Sequence, residues 1–239
     1  MQNGLKQMLI DGAKEFGVNF DDSQINQLER FMEMLKEWNM RMNLTAIEKD
    51  EDIIIKHYLD SFSILPCLQN KDIKLIDVGT GAGFPGIPVK IAFGSINITL
   101  LDSLEKRIRF LDEVVGALGL EGVKTLHGRA EDIGMNGSYR ETFDVSTARA
   151  VASLPVLLEY CFPFVKTGGM FIAMKGSNLD EVGQSKKALD ILGGEIEDIK
   201  QIVLPFSDIK RNIIIVRKLR HTPTKYPRKA GKPSKEPLI

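Results

Sequence analysis

Apolar side chains recur every three or four positions from Ile25 to Trp38 (Ile25, Leu28, Phe31, Met32, Leu35, Trp38), which puts them on one face of a helix. Asp21-Asp22-Ser23 supplies N-cap oxygens just ahead of that run. Asn43-Leu44-Thr45 interrupts the period, and a second helical stretch from Asp52 to Leu65 stops at Pro66. Residues 1–70 therefore read as a helical extension.

From Ile73 the period changes. Short apolar runs at 73–78, 96–101, 123–126, 143–147 and 170–174 alternate with amphipathic stretches near 85–93, 104–118, 153–162 and 179–192. Strands alternating with helices mean βαβ units and a parallel sheet. Two further strand-like runs, 196–204 and 212–218, have no room for a helix between them and must pair antiparallel. The expectation is an α/β domain over 71–220, with a mostly parallel seven-stranded sheet and a closing antiparallel hairpin. Beyond Arg220 lie four prolines and no helical period, so 221–239 reads as an extended tail.

Composition sharpens this picture in two places. Net charge is zero, with 32 basic and 32 acidic residues, yet six of the basic ones fall between Arg220 and Lys235, where there is no acid. Such a tail suits a phosphate backbone, with Tyr226 interleaved for stacking. Cys67 and Cys161 are far apart in apolar surroundings, as expected of packing residues in a reducing compartment. The first residues lack a secretory pattern, and no run approaches the ~20 apolar residues of a membrane span. These features point to a cytoplasmic protein, and no His/Cys cluster has metal-ligand spacing.

The chemistry starts at Asp77-Val78-Gly79-Thr80-Gly81-Ala82-Gly83-Phe84-Pro85-Gly86, where a strand runs into a glycine-rich turn. Bare backbone there lets a ligand approach closely, and the following helix N-terminus offers free N–H groups. Gly81-x-Gly83-x-x-Gly86, with Asp102 about 20 residues on, also matches a dinucleotide fingerprint, so a nicotinamide-dependent oxidoreductase is the alternative. Three features favour S-adenosylmethionine: the acid two residues before the first glycine, the closing hairpin, and the absence of a hydride-transfer constellation such as Tyr-x-x-x-Lys. Asp102 can accept from ribose hydroxyls, cap the next helix, or do both. Backbone at Ala130-Glu131, with the Glu131 carboxylate, can read an adenine edge.

After the fourth strand, Thr147-Ala148-Arg149-Ala150 lacks the Asn/Asp-Pro-Pro-aromatic signature of amino methylation, and no cysteine stands where a C5-pyrimidine enzyme needs its nucleophile. An acceptor that requires neither base nor covalent catalysis fits. Guanine N7 has an exposed lone pair and no proton, so alignment and water exclusion suffice. Arg149 is the candidate contact for guanine O6 or a phosphate, and Lys175 a candidate at the cleft mouth. His57 reads more readily as a satisfied histidine than as a catalytic one.

At this point the chain resembles the bacterial 16S rRNA guanine-N7 methyltransferase family, also known as glucose-inhibited division protein B. The resemblance rests on Trp38-Asn39 with Met42 through Ile47, His57 through Ser61, Asp77 through Pro88, Arg129-Ala130-Glu131, Ala148-Arg149-Ala150, Met174-Lys175-Gly176 and Tyr226 through Pro233. It implies a Rossmann-like class I methyltransferase fold. It also implies methylation of N7 of the guanine at position 527 of 16S rRNA, in the 530 loop of the small ribosomal subunit. S-adenosylmethionine contacts are implied at Gly79, Phe84, Ala130, Glu131 and Arg149.

Overall fold

A computed structural model describes residues 1–68 and 72–239. Gln69, Asn70 and Lys71, and with them the expected boundary between 1–70 and 71–220, lie outside the described residues.

Helix α1 (Asn3–Lys14) leads to α2 (Asp22–Met42). Asp21 caps α2 in a capping box: its side chain accepts from the Gln24 N–H at 2.8 Å, and the Gln24 side chain accepts from the Asp21 N–H at 3.0 Å. Asn43, left-handed at φ 47°, ends the helix. The second helical stretch is not one regular helix. It comprises α3 (Asp50–Ile53), a π-helical turn over Ile54–Leu59 and α4 (Asp60–Phe62). Single π turns inside helices occur frequently at functional sites, and this one carries His57.

The sheet strands are β1 (Lys74–Val78), β2 (Asn97–Asp102), β3 (Val123–His127), β4 (Phe143–Arg149), β5 (Val165–Lys175), β6 (Gly194–Val203) and β7 (Lys210–Lys218). Their order is β3-β2-β1-β4-β5-β7-β6, with β7 antiparallel to both its neighbours. The expected parallel sheet and closing hairpin are both present. The order reverses between β1 and β4, and the crevice outside the carboxyl ends of such strands is where ligands of open α/β sheets sit.

Alternate side chains of each central strand enter two apolar clusters. Leu75, Ile213 and Ile215 face one with α5 (Gly86–Ala92), α6 (Glu105–Ala117) and the N-terminal helices. Ile76, Ile214 and Val216 face the other with α8 (Leu154–Cys161). Leu28, Phe31 and Leu35 of α2 share their cluster with Phe84, Ile87 and Leu111, so the N-terminal helices complete the same core as the sheet.

One short helix adds to the expected set, α7 (Ala130–Ile133), a single turn after β3, and two expectations are corrected in detail. The helix expected over 179–192 is two, α9 (Asp180–Gln184) and α10 (Lys186–Leu192). They break at buried Ser185, whose hydroxyl donates back to the Glu181 carbonyl. The tail is not an extended free chain: it lies against the domain and contains α11 (Lys232–Lys235). Side-chain partners hold it there. Arg140 donates to the carbonyls of Thr222 and Tyr226 at 2.7 and 2.8 Å, and Arg228 pairs with Glu159 at 2.6 Å.

Candidate active site

Asp77 organises the glycine loop from beneath. Its Oδ2 accepts from the Thr80 hydroxyl at 2.7 Å and the Gly86 N–H at 2.9 Å. The loop hooks over β2: the N–H groups of Gly79 and Thr80 donate to the Leu101 carbonyl, and that of Gly81 to Asp102 Oδ2. Gly79, Gly81 and Gly83 have φ of 74°, 61° and 90°, a region that a side-chain-bearing residue enters only with strain. At Gly86 the reason is space, since a Cβ would lie 2.3 Å from Leu100 and 2.9 Å from Asp77 Oδ2.

Asp77 Oδ1 is buried and has no partner among the described residues. Burial pushes this carboxyl up to about 6. The hydrogen bonds from Thr80 and Gly86 and the charge of Arg149 oppose that shift, and a further cation at that strand end would favour the ionised carboxylate.

Above the loop opens a cleft of about 380 Å³, lined by Gly79, Asp102, Arg107, Ala130, Glu131 and Ala150, among others. Asp102 is 2% exposed: Oδ1 accepts from the Leu104 N–H, and Oδ2 from Gly81 and Arg107. Asp102 thus holds the turn ahead of α6 while facing the cleft, but it does not cap the helix, whose N-cap position is Leu104 and has no side-chain cap. The far wall comes from Tyr160, Gly231 and Ser234, none of which the sequence singled out for this pocket. Gly79, Asp102, Ala130 and Glu131 do come together here. Phe84 does not line this cleft with its ring.

That ring belongs to a second constellation. Phe84 stacks on His57 with centroids 4.2 Å apart and planes 9° from parallel, and the Arg149 guanidinium lies 5.2 Å from its centroid. Arg149 Nη1 donates to Asp60 Oδ2 at 2.9 Å and to the Lys56 carbonyl at 3.0 Å, while Nη2 faces His57 Nδ1 at 3.0 Å. An arginine donates only, so Nδ1 is the acceptor and Nε2–H donates to the Thr45 hydroxyl 2.9 Å away. Burial, reinforced by Arg149, pushes His57 down to about 3. The ring is therefore neutral at pH 7. Asp60 is 2% exposed and also receives Arg211 Nε at 3.0 Å.

Lys56, His57, Asp60, Arg149 and Arg211 line a second cleft of about 430 Å³, together with Met174, Lys175 and Gly176; the Phe84 ring does not line it. Lys175 is not a solvated lysine: it pairs with Glu181 at 2.8 Å and donates to the Ala152 carbonyl. The two clefts share Ala150, which takes φ 56°. A non-glycine residue in that region is worth attention, because such strain collects at functional sites. Asp60 carried a signal only as part of the His57–Ser61 match, and Arg211, at the start of a hairpin strand, carried none. Among the described residues no group of three or more His, Cys, Asp or Glu could hold a metal ion, and no helix is long and apolar enough to cross a membrane.

Comparison with known proteins bears on this geometry directly. Residues 24–214 match the family model GidB, rRNA small subunit methyltransferase G. Proteins named ribosomal RNA small subunit methyltransferase G are similar over nearly the whole chain. The one from Acetivibrio thermocellus is 63% identical, covering 98% of this chain and 97% of its own, and that from Alkaliphilus oremlandii 53%, covering 98% and 99%. Among solved structures, TYW2 of M. jannaschii in complex with AdoMet superposes with a TM-score of 0.54 at 12% identity, over 73% of this chain and 80% of that one. YcgJ from Bacillus subtilis does so with 0.53 at 12% identity, over 69% and 100%. These two show the shared fold. The family match does not support a nicotinamide reading of the glycine loop. With its glycine loop set at the sheet's reversal point and this likeness running end to end, the chain belongs to the rRNA small subunit methyltransferase G family.

Proposed function

We propose that this protein transfers the methyl group of S-adenosylmethionine to N7 of the guanine at position 527 of 16S rRNA, in the cytoplasm, on the RNA itself or on the small ribosomal subunit. The observation that carries the reading is the meeting of two clefts at Ala150, one behind the glycine loop and one lined by His57, Asp60, Arg149 and Lys175. A methyl donor in the first and a flipped base in the second would face each other across that residue.

Bound S-adenosylmethionine supplies an electrophilic methyl on a sulfonium. The protein's part is placement. Gly79 and the loop receive the amino acid end, Asp102 the ribose, Ala130 and Glu131 the adenine. Phe84 contributes through its backbone and by bracing His57. Arg149, fixed by Asp60 and Lys56, aims its remaining donor capacity at guanine O6 or a phosphate. No group here needs to remove a proton, because N7 carries none, and alignment with water exclusion lowers the barrier. The neutral, doubly hydrogen-bonded His57 suits a positioning role. In this reading 1–70 supplies one wall of the acceptor cleft, 71–220 holds the cofactor, and 221–239 meets both cofactor and RNA. Labelled methyl transfer to small-subunit RNA followed by nucleoside digestion tests the acceptor: 7-methylguanosine is expected, and 5-methylcytidine or N6-methyladenosine would overturn it.

A further inference from the structure

Glu131 and Tyr160, on α7 and α8, are tied across the first cleft to the C-terminal segment. The Gly231 N–H donates to Glu131 Oε1 at 2.9 Å, and the Ser234 and Tyr160 hydroxyls bond at 2.7 Å. We propose that the turn Gly231–Ser234 is a working part of the cofactor site: it closes the nucleoside end of the cleft and fixes the Glu131 carboxylate that reads the adenine. This rests on the reading of that cleft as the S-adenosylmethionine site.

Three observations carry it. First, Gly231 and Ser234 line the same cleft as Gly79, Asp102 and Ala130, so a ligand spanning the loop and Glu131 lies against them. Second, the segment is held by interior groups. Glu159 is 1% exposed in α8, and its carboxylate is met by the Arg228 backbone N–H, Nε and Nη2 at 2.6–3.1 Å. Tyr226 and Leu238 are buried in the second apolar cluster. Third, the segment has two faces. Thr222, Tyr226 and Pro233 turn inward, whereas Lys225, Lys229, Lys232 and Lys235 are exposed. The four lysines thus stay on the outside, while Arg228 turns inward and is neutralised by Glu159.

Gly231 offers the point of attack. Its φ is 80°, and a Cβ there would meet nothing within 4 Å. A β-branched residue fits the space but not the dihedral, so the peptide must turn and withdraw the N–H from Glu131. Gly231→Val is therefore expected to weaken S-adenosylhomocysteine by about tenfold in calorimetry, the size of one well-made hydrogen bond to a charged group. It should weaken 5′-deoxy-5′-methylthioadenosine, which has only the nucleoside end, by the same factor. The ligand-free variant should keep its circular dichroism spectrum. Tyr160→Phe and Ser234→Ala, which spare the backbone, should each weaken both probes by roughly threefold, as loss of a neutral hydrogen bond does. These two carry the test if Gly231→Val does not fold. Amide exchange at 230–235 should slow when either probe binds. If the unaltered chain binds both probes and all folded variants bind them equally well, the cofactor reading stands and the inference falls. If the unaltered chain binds neither, both fall.

Discussion

At the residue scale, the glycines and buried ionisable groups of the loop make separable claims. Gly81 has φ 61° with nothing within 4 Å of a built Cβ, so Gly81→Val strains the loop by about 1–2 kcal/mol without striking the core. A ligand that passes over Gly81 would meet its branched side chain. Calorimetry should find no S-adenosylmethionine binding to a variant that still unfolds cooperatively; retained binding would show that the ligand does not pass over Gly81. His57 and Asp77 act on stability with opposite signs. His57, held down to about 3, stays neutral while the unfolded chain takes up a proton below about 6.5, so its contribution is complete above that pH and is lost on acidification. Asp77, pushed up to about 6, binds its proton more tightly folded than unfolded, so it disfavours folding as pH rises from about 3.8 to 6. The two slopes cancel across much of that window. His57→Gln should uncover the cancellation. Relative to the unaltered chain, its unfolding free energy should gain about 2 kcal/mol on going from pH 6.5 to 5. A difference that does not vary with pH would mean that His57 titrates normally.

At the element scale, the loop and strand ends were legible because each follows from local chemistry. Positive φ leaves little but glycine, and Asp77 closing β1 two residues before Gly79 is visible in any window that spans both. The helices of the core were legible from period alone, as the buried face of α2 shows. The docked tail was not legible. Its proline spacing and lysines describe its outer face accurately, but its inner face is defined by Glu159 and Arg140, 69 and more residues away. No periodicity encodes such a pairing. Breaking it should be costly: Arg228→Ala strands the buried Glu159 charge and should lower unfolding free energy by about 3 kcal/mol in denaturant titration. A loss under about 1 kcal/mol, the value of an exposed pair, would contradict the docking. The outer face makes a separate claim. Replacing Lys225, Lys229, Lys232 and Lys235 with Gln should lower the salt slope of RNA affinity by up to about 3 units, at about 0.7 for each phosphate contact. An unchanged slope would put the RNA elsewhere.

At the scale of the whole molecule, the α/β order and the closing hairpin could be read before the structure, because alternation of strand and helix periods constrains topology strongly. The second cleft could not. It is assembled from the π turn of the N-terminal helices, the end of β4 and the start of β7, where Arg149 and Arg211 converge on Asp60 from 89 and 151 residues away. The glycine loop and strand ends of the first cleft are local in sequence, whereas its far wall at Tyr160, Gly231 and Ser234 and the whole of the second cleft exist only once the fold has closed. The proposed acceptor is therefore the part to test first. Small-subunit RNA treated with the protein and S-adenosylmethionine can be reduced and then cleaved with aniline, which breaks the strand at 7-methylguanosine. A single new scission at position 527, absent when the cofactor is omitted, is the expected result. Methyl incorporation with scission at another guanine, or with none, would contradict it.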